Sequence, residues 1–431
     1  MKFLKLDRSV MRNFGMIEKN RVITVKTNVL SIIINLYRNK APNILSLVVF
    51  GINDSSCSEL IAGNVYRKQV DYPKIFKLRL INKPYIIYKT LQASLLKRLL
   101  KILADNNKED ELTFLIFNGS ISPDNIFDSI KTNHRRVYIE NGFFPNTLQI
   151  DCRGVNAANS LPREAGYYLN QPNYGAQDLP TKVQVRKLKL SYPFTPLPDD
   201  YIFFPFQIPS DQQIRVHSRW IKTMDDFMNL IISFAAKYPD KNFVIKEHPS
   251  FKQSIAGKYP PRKNILFANG NSTEELIKNA RLVITLNSTV GIEALLFGKP
   301  VITLADACYN VDGLVRHANN IKKLNEFIMD EGWLPDERLR IQFLGYIWNK
   351  YLFHGYCSSN TCIASNIHKV PPSSYLKFEK NRVITGKYNF QIICQELEPI
   401  AWDPRIFHGV HIQCSLLEVF EVVHSRLEST R

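Results

Sequence analysis

Between residues 201 and 304, apolar runs of strand length alternate with longer stretches of helical period. Residues 201–206 read YIFFPF, a strand pattern. Residues 223–238 set Met224, Phe227, Met228, Ile231, Ile232 and Phe234 along one helical stripe, with Thr223 and Asp226 spaced as a capping box. Strand patterns follow at 242–246, 264–268, 281–286 and 300–304, and helical ones at 272–280 and 288–297, the latter closed by Gly298. Strands alternating with helices specify βαβ units and a parallel sheet. The first half has the same pattern less cleanly: 44–51, 112–117 and 136–139 read as strands, and 85–105 as a helix with Lys and Arg opposite its apolar stripe. Residues 170–200 are rich in Pro, Gly, Asn and Asp, which places a domain boundary there. The expectation is an α/β chain with two Rossmann-like domains, 1–196 and 197–330, facing a central cleft. A helical extension and an unassigned tail complete it over 331–431.

Composition narrows the function. At 45% hydrophobic and 22% charged, the 431-residue chain has ordinary globular usage, which excludes collagen-like, disordered and coiled-coil classes. Lys and Arg number 56 against 39 Asp and Glu, and the net charge of +17 predicts anionic partners: a nucleotide-sugar, a lipid headgroup surface or a nucleic acid. The seven cysteines are scattered with no C-x-x-C pair, so neither a disulfide framework nor a zinc site is expected. The first sixteen residues are basic but broken by polar residues, and the apolar runs fall well short of the ~20 residues that span a bilayer. These features predict a cytoplasmic protein, with peripheral contact to the inner face of a membrane as a further expectation. The heptapeptide EKNRVIT occurs at 18–24 and again at 379–385 and carries no functional reading.

Four constellations carry candidate chemistry. Lys246-Glu247-His248-Pro249 ends a strand, and alternation sets Lys246 and His248 on one face, where a cation and an imidazole suit a phosphate. A surface Lys beside a packed His is the plain alternative. In Thr285-Leu286-Asn287-Ser288-Thr289-Val290-Gly291-Ile292-Glu293, a strand runs through a polar turn into a helix. Free N–H groups and the hydroxyls of Ser288 and Thr289 favour an anion, and Glu293 can accept from a ribose. Alternatively, Asn287 or Ser288 only caps the helix. After the 201–206 strand comes a polar loop with Gln207 and Asp211, in which Asp211 serves either as a cleft nucleophile or base or as a simple Asx-turn residue. Finally, Glu140 ends a strand before an Asn141-Gly142 turn and is read as a second carboxylate, from the opposite domain, set against a solvated turn Glu. Asn118-Gly119 is read in the same way, and Asn156, Asn159, Ser160 and Arg163 follow.

In this order the segments E-N-G-F-F-P-N-T-L-Q-I-D-x-x-G-V-N, P-F-Q-I-P-S-D-Q-Q-I-x-x-H-S, K-E-H-P, N-S-T-V-G-I-E-A-L-L-F-G-K-P-V-I and A-x-Y-N-x-x-G-L resemble the capsule polysaccharide synthesis family of bacterial retaining β-Kdo glycosyltransferases. The likeness covers residues 114–314. It implies a GT-B-like, CMP-Kdo-dependent transferase. In it Asp211 is the nucleophile of a covalent Kdo adduct and Glu140 the acid/base at the acceptor hydroxyl, with His248 also at the reacting centre. The resemblance further implies that Lys246, His248, Asn287, Ser288, Thr289, Glu293 and Gln207 bind the donor, while Asn118, Asn156, Asn159 and Arg163 meet Kdo or the acceptor. No cofactor or metal is expected beside CMP-Kdo. The implied acceptor is lysophosphatidylglycerol, a Kdo-primed lipid or an O-antigen-like glycan. Two other classes stay open: a different CMP-sugar or sugar-nucleotide enzyme, and a non-catalytic nucleic-acid or membrane-binding module. The non-catalytic nucleic-acid or membrane-binding module ranks last, because no aromatic-basic nucleic-acid motif is present.

Overall fold

The computed structural model describes residues 2–8, 22–108, 112–185, 191–251 and 254–354, together with the backbone of two strands, Tyr375–Glu379 and Arg382–Gly386. Cys357, Cys362, Cys394, Cys414 and parts of both heptapeptide copies lie outside the described residues. The chain divides into two compact units. One contains residues 1–142, 146–160 and 350–431, and the other Phe143–Pro145 and Leu161–Asn349.

The first unit holds a six-stranded sheet of β1 (Lys2–Leu6), β2 (Val22–Val25), β3 (Leu112–Phe117), β4 (Arg135–Asn141), β5 (Thr147–Asp151) and a late strand, Phe353–His354. In the order β2-β1-β3-β4 the strands are parallel, and β5 and the late strand add antiparallel pairings at one edge. Among the described residues, five α-helices accompany this sheet: α1 (Val29–Arg38), α2 (Ile44–Gly51), α3 (Ser58–Asp71), α4 (Pro73–Phe76) and the 27-residue α5 (Arg79–Asp105). Leu95, Leu96, Leu99 and Leu100 of α5 are buried in one cluster with Leu4, Phe114 and Ile116 of the sheet.

Residues 44–51 correct the sequence expectation, because they form a helix and not a strand. A short apolar run does not reveal its period, and local capping decides the outcome: Asn43, at φ 49°, accepts the Ser46 N–H at 3.3 Å. Helix α5 also starts six residues earlier than the 85–105 pattern suggests, carrying Pro84 inside it.

The second unit follows its pattern closely. Its strands are β6 (Ile202–Pro205), β7 (Phe243–Lys246), β8 (Ile265–Phe267), β9 (Leu282–Thr285), β10 (Val301–Thr303) and β11 (Arg316–His317), all parallel, in the order β11-β10-β9-β6-β7-β8. Helix α6 (Ala165–Leu169) precedes the sheet, and the intervening and following helices are α7 (Gln212–His217), α8 (Met224–Lys237), α9 (Thr273–Asn279), α10 (Val290–Leu296), α11 (Ile321–Met329) and α12 (Glu337–Tyr346). Thr223 and Asp226 form the full capping box on α8, whose Phe227 is fully buried and stacks on Phe206 at 5.0 Å.

The unit boundary falls at Ser160/Leu161, earlier than residue 196, and residues 331–349 belong to the second unit and not to a separate extension. Aromatic packing explains both differences. Tyr168, fully buried, meets Phe343 of α12 edge-on at 5.0 Å, and Asn349 donates to the Asp178 carbonyl at 2.9 Å. The Pro- and Gly-rich stretch is therefore partly surface lining of the second unit. After Asn349 the chain returns to the first unit, where the late strand pairs with β5 and the Tyr351 hydroxyl donates to Asp151 at 3.0 Å.

Candidate functional site

In sequence order the strands of the second unit lie as third, second, first, fourth, fifth and sixth, so the chain reverses its winding between β6 and β9. Open parallel sheets bind ligands outside the carboxyl ends of their strands at such a reversal. Gln207 follows β6 and Asn287 follows β9, and the two meet there: Gln207 Nε2 donates to Asn287 Oδ1 at 3.1 Å and to Asp211 Oδ2 at 3.3 Å. Asn287 is fixed in turn by donating to the carbonyls of Gln213 (3.2 Å) and Asp306 (3.1 Å).

The two roles considered for Asp211 fall on its two oxygens. Oδ1 accepts the Gln213 N–H at 2.9 Å and caps α7, while Oδ2 is held toward Gln207. Burial pushes the carboxyl above its ordinary pKa, opposed by the hydrogen bonds from Gln213 and Gln207 and by the His217 charge. His217, on the same short helix, is pushed down by burial against the pull of Asp306 and Asp211. His217 is not singled out by the sequence, because α7 reads there as loop. Ile214 and His217 three residues later were the available helical signal.

The turn from β9 into α10 leaves Ser288 and Thr289 half-buried. Ser288 Oγ accepts the Val290 N–H at 3.2 Å, and the buried Tyr309 hydroxyl donates to the Ser288 carbonyl at 2.5 Å. A Cβ on Gly291 would stand 2.3 Å from that hydroxyl, so the close approach requires glycine. Glu293 is fully buried within α10.

Lys246 is buried as well, so it is not the surface lysine of the plain alternative. Its Nζ donates to the Asn269 carbonyl at 2.8 Å and the Asn271 carbonyl at 2.6 Å, and burial lowers its pKa to about 8. Strand β7 ends at Lys246, so strand alternation does not extend to half-buried His248, whose Nδ1 accepts the Ser250 N–H at 3.2 Å. Glu247, unremarked in the sequence, holds this loop: it accepts from the Ile255 N–H (2.5 Å), Ser254 Oγ (2.8 Å) and Asn269 Nδ2 (2.6 Å).

In the first unit, Asn118 Nδ2 donates to Glu140 Oε2 at 2.6 Å. The Glu140 Oε1 accepts the Asn141 N–H at 2.8 Å. Asn118 is at φ 62° and its N–H donates to the Ile139 carbonyl at 2.9 Å, which aims its amide along the end of β4. Glu140 stands opposite Gln149 in the β4/β5 register. Gln149, fully buried, exchanges two hydrogen bonds of 2.9 Å with Asn156, which is also left-handed at φ 56°. Asn159 donates its N–H to the Asn156 carbonyl at 3.3 Å. Asn118, Glu140, Asn156 and Asn159 therefore share one constellation. Arg163 lies in the second unit and donates to the Leu161 carbonyl. Gln149, not singled out from the sequence, lies between Thr147 and Asp151 at period two, on a buried polar face of the strand. Among the described residues, no group of three His, Cys, Asp or Glu is arranged to hold a metal ion.

The model of a capsule polysaccharide biosynthesis protein matches residues 189–333, which contain this strand-end cluster. Protein FixF of Sinorhizobium fredii is 42% identical over 369 residues, 85% of this chain and 92% of that protein. The chain belongs to the capsule polysaccharide biosynthesis family. A second member, the capsule polysaccharide export protein KpsS of Escherichia coli, is 30% identical over 157 residues, 34% of this chain and 39% of its own. Among solved structures, the β-Kdo 2,7 transferase of Thermosulfurimonas dismutans KpsC covers 67% of this chain and 86% of its own, at 18% identity and a TM-score of 0.40. That likeness is too distant to transfer chemistry, and the site of this family member is read from its own residues.

Proposed function

We propose that the protein is a retaining glycosyltransferase that transfers Kdo from CMP-Kdo to a lipid-linked or glycan acceptor in surface polysaccharide assembly. The observation that carries this reading is the cluster at the winding reversal, where Asp211 keeps one carboxylate oxygen for the helix cap and has the other directed toward Gln207. Membership of the capsule polysaccharide biosynthesis family supports it.

In the proposed sequence Asp211 attacks the anomeric carbon of Kdo and CMP departs with the bonding electrons, leaving a glycosyl ester on Asp211. Ser288 and Thr289 at the β9–α10 turn donate to the departing phosphate and offset its charge. The acceptor hydroxyl then displaces Asp211 and gives its proton to Glu140, which Asn118 and the Asn141 N–H orient. Two inversions preserve the configuration. A carboxyl with a raised pKa is the more basic nucleophile once ionised. Lys246 and Glu247 act at a distance from the reaction by fixing the loop that presents His248.

The test is intact mass spectrometry after incubation with CMP-Kdo and no acceptor. A Kdo-sized gain in the wild-type protein that is absent from Asp211→Asn supports donor, nucleophile and retention together. Binding of CMP-Kdo in a thermal-shift control without any adduct, on rapid quenching, sinks the Asp211 assignment, and an equal gain in the variant does the same.

A further inference from the structure

Thirteen of the nineteen large apolar side chains that are exposed among the described residues lie between Leu30 and Tyr88 of the first unit. Helix α2, ILSLVVFG, is apolar nearly all round, yet only Gly51 is buried, with Leu45 at 77% and Phe50 at 74% exposure. A helix of that character belongs in a core or against another apolar phase. Gly51 seats it on α5, where a Cβ would reach Leu91 at 3.0 Å, and the opposite face stays open. The first ten residues of α5, RLINKPYIIY, contain no buried side chain, and Leu80 is 89% exposed. Helices α1, α2, α3 and α4 all pack on α5, so these open faces belong to one helical layer.

The charge in this layer has one sign. From Arg67 to Lys89 there are seven Lys and Arg and a single acid, Asp71. Arg67 is paired with Asp71 at 3.5 Å, while Lys74, Lys77, Arg79 and Lys83 are exposed beside Ile75, Leu78 and Ile81. Exposed Tyr37, Tyr72 and Tyr88 add rings with one apolar and one polar end, suited to a boundary between water and hydrocarbon. Exposed leucines among unpaired cations fit a surface that is apolar beneath and anionic above. A second copy of this chain would set the same cations against each other.

We propose that α1, α2, α4 and the first turns of α5 form a docking face for an anionic lipid bilayer, with Leu45 and Phe50 entering the acyl boundary and Lys74, Lys77, Arg79 and Lys83 meeting lipid phosphates. The whole-chain charge of +17 points only to anionic partners in general, whereas these residues give the membrane a place on the fold. The proposal is independent of the donor chemistry, because adduct formation is read without vesicles.

The experiment is co-sedimentation of the full chain with phosphatidylcholine vesicles, with and without an equal part of phosphatidylglycerol. The expected result is binding to the anionic vesicles that weakens as salt is raised. Leu45→Ser with Phe50→Ser, and separately Lys77→Ala, Arg79→Ala and Lys83→Ala together, should each lower partitioning by about tenfold or more while leaving circular dichroism unchanged. The proposal is overturned if the wild-type chain stays in solution at low salt, or if neither variant set changes its partitioning. It is equally overturned if size-exclusion chromatography shows a dimer that Phe50→Ser dissociates, since the face then joins two copies.

Discussion

The two sheets share strand-helix alternation and end in different surfaces. In the second unit every strand is parallel and the helices close over the sheet: Phe204, Phe227, Phe243 and Ile284 are all at 1% exposure or less. In the first unit one edge is antiparallel, a single long helix carries most of the packing, and the helices around it leave apolar faces open. Among the described residues, thirteen large apolar side chains are exposed in the first unit and six in the second. A core and an interface are thus written in the same alphabet, and burial alone separates them.

The sharpest way to break this contrast is at the carboxylate. Asp211→Asn should lower transfer by at least about 10³-fold, measured as CMP release with acceptor present. Its Tm at neutral pH should match or exceed wild type, because asparagine can still cap α7 and a buried charge is removed. Since the folded pKa is raised, the charged form costs stability above the ordinary carboxylate pKa. The acid limb of the wild-type pH profile should likewise lie above that ordinary value.

Core truncation compares the units directly. Phe227→Ala should cost about 3–5 kcal/mol in denaturant unfolding, and Phe50→Ala, of identical chemistry, within about 0.5 kcal/mol of zero. Equal costs would mean that α2 is covered and the two surfaces are alike. Next in size, Gly291→Ala should cost about 1–3 kcal/mol, because Tyr309 cannot retreat from a Cβ without giving up its bond to Ser288.

A smaller effect comes from Lys246. Its pKa is lowered to about 8, so between that value and the ordinary lysine range the unfolded chain holds a proton that the folded one has lost. Stability from this residue should therefore rise with pH across that window, and the rise should be missing in Lys246→Met when unfolding is followed at several pH values.

Much of the second unit was legible in advance. Its capping box at Thr223 and Asp226, its C-cap at Gly298 and its alternating apolar runs are short-range signals that tertiary packing did not override. Residues 44–51 were misread for a physical reason: eight apolar residues satisfy a buried strand and a buried helix equally, and the Asn43 cap broke the tie. The candidate site was half legible. Gln207, Asp211 and Asn287 were named from the chain and do meet, and so do Asn118, Glu140 and Asn156. Lys246 and Glu293, named for their chemistry, are buried, and a one-dimensional pattern cannot show that two carbonyls lie within hydrogen-bonding distance of the lysine.

By itself the sequence determined the α/β class, the parallel pairing of the second sheet and the identity of its strand-end residues, because periodicity, caps and turns are local properties of the chain. The tertiary structure alone decided where the units divide, which polar side chains serve the fold and which face outward, and that the apolar helix α2 stays open. Each of these depends on partners distant in the chain, as with Tyr168 on Phe343, Gln207 on Asn287 and Tyr351 on Asp151. Burial is a property of the packed whole, and no residue carries it alone.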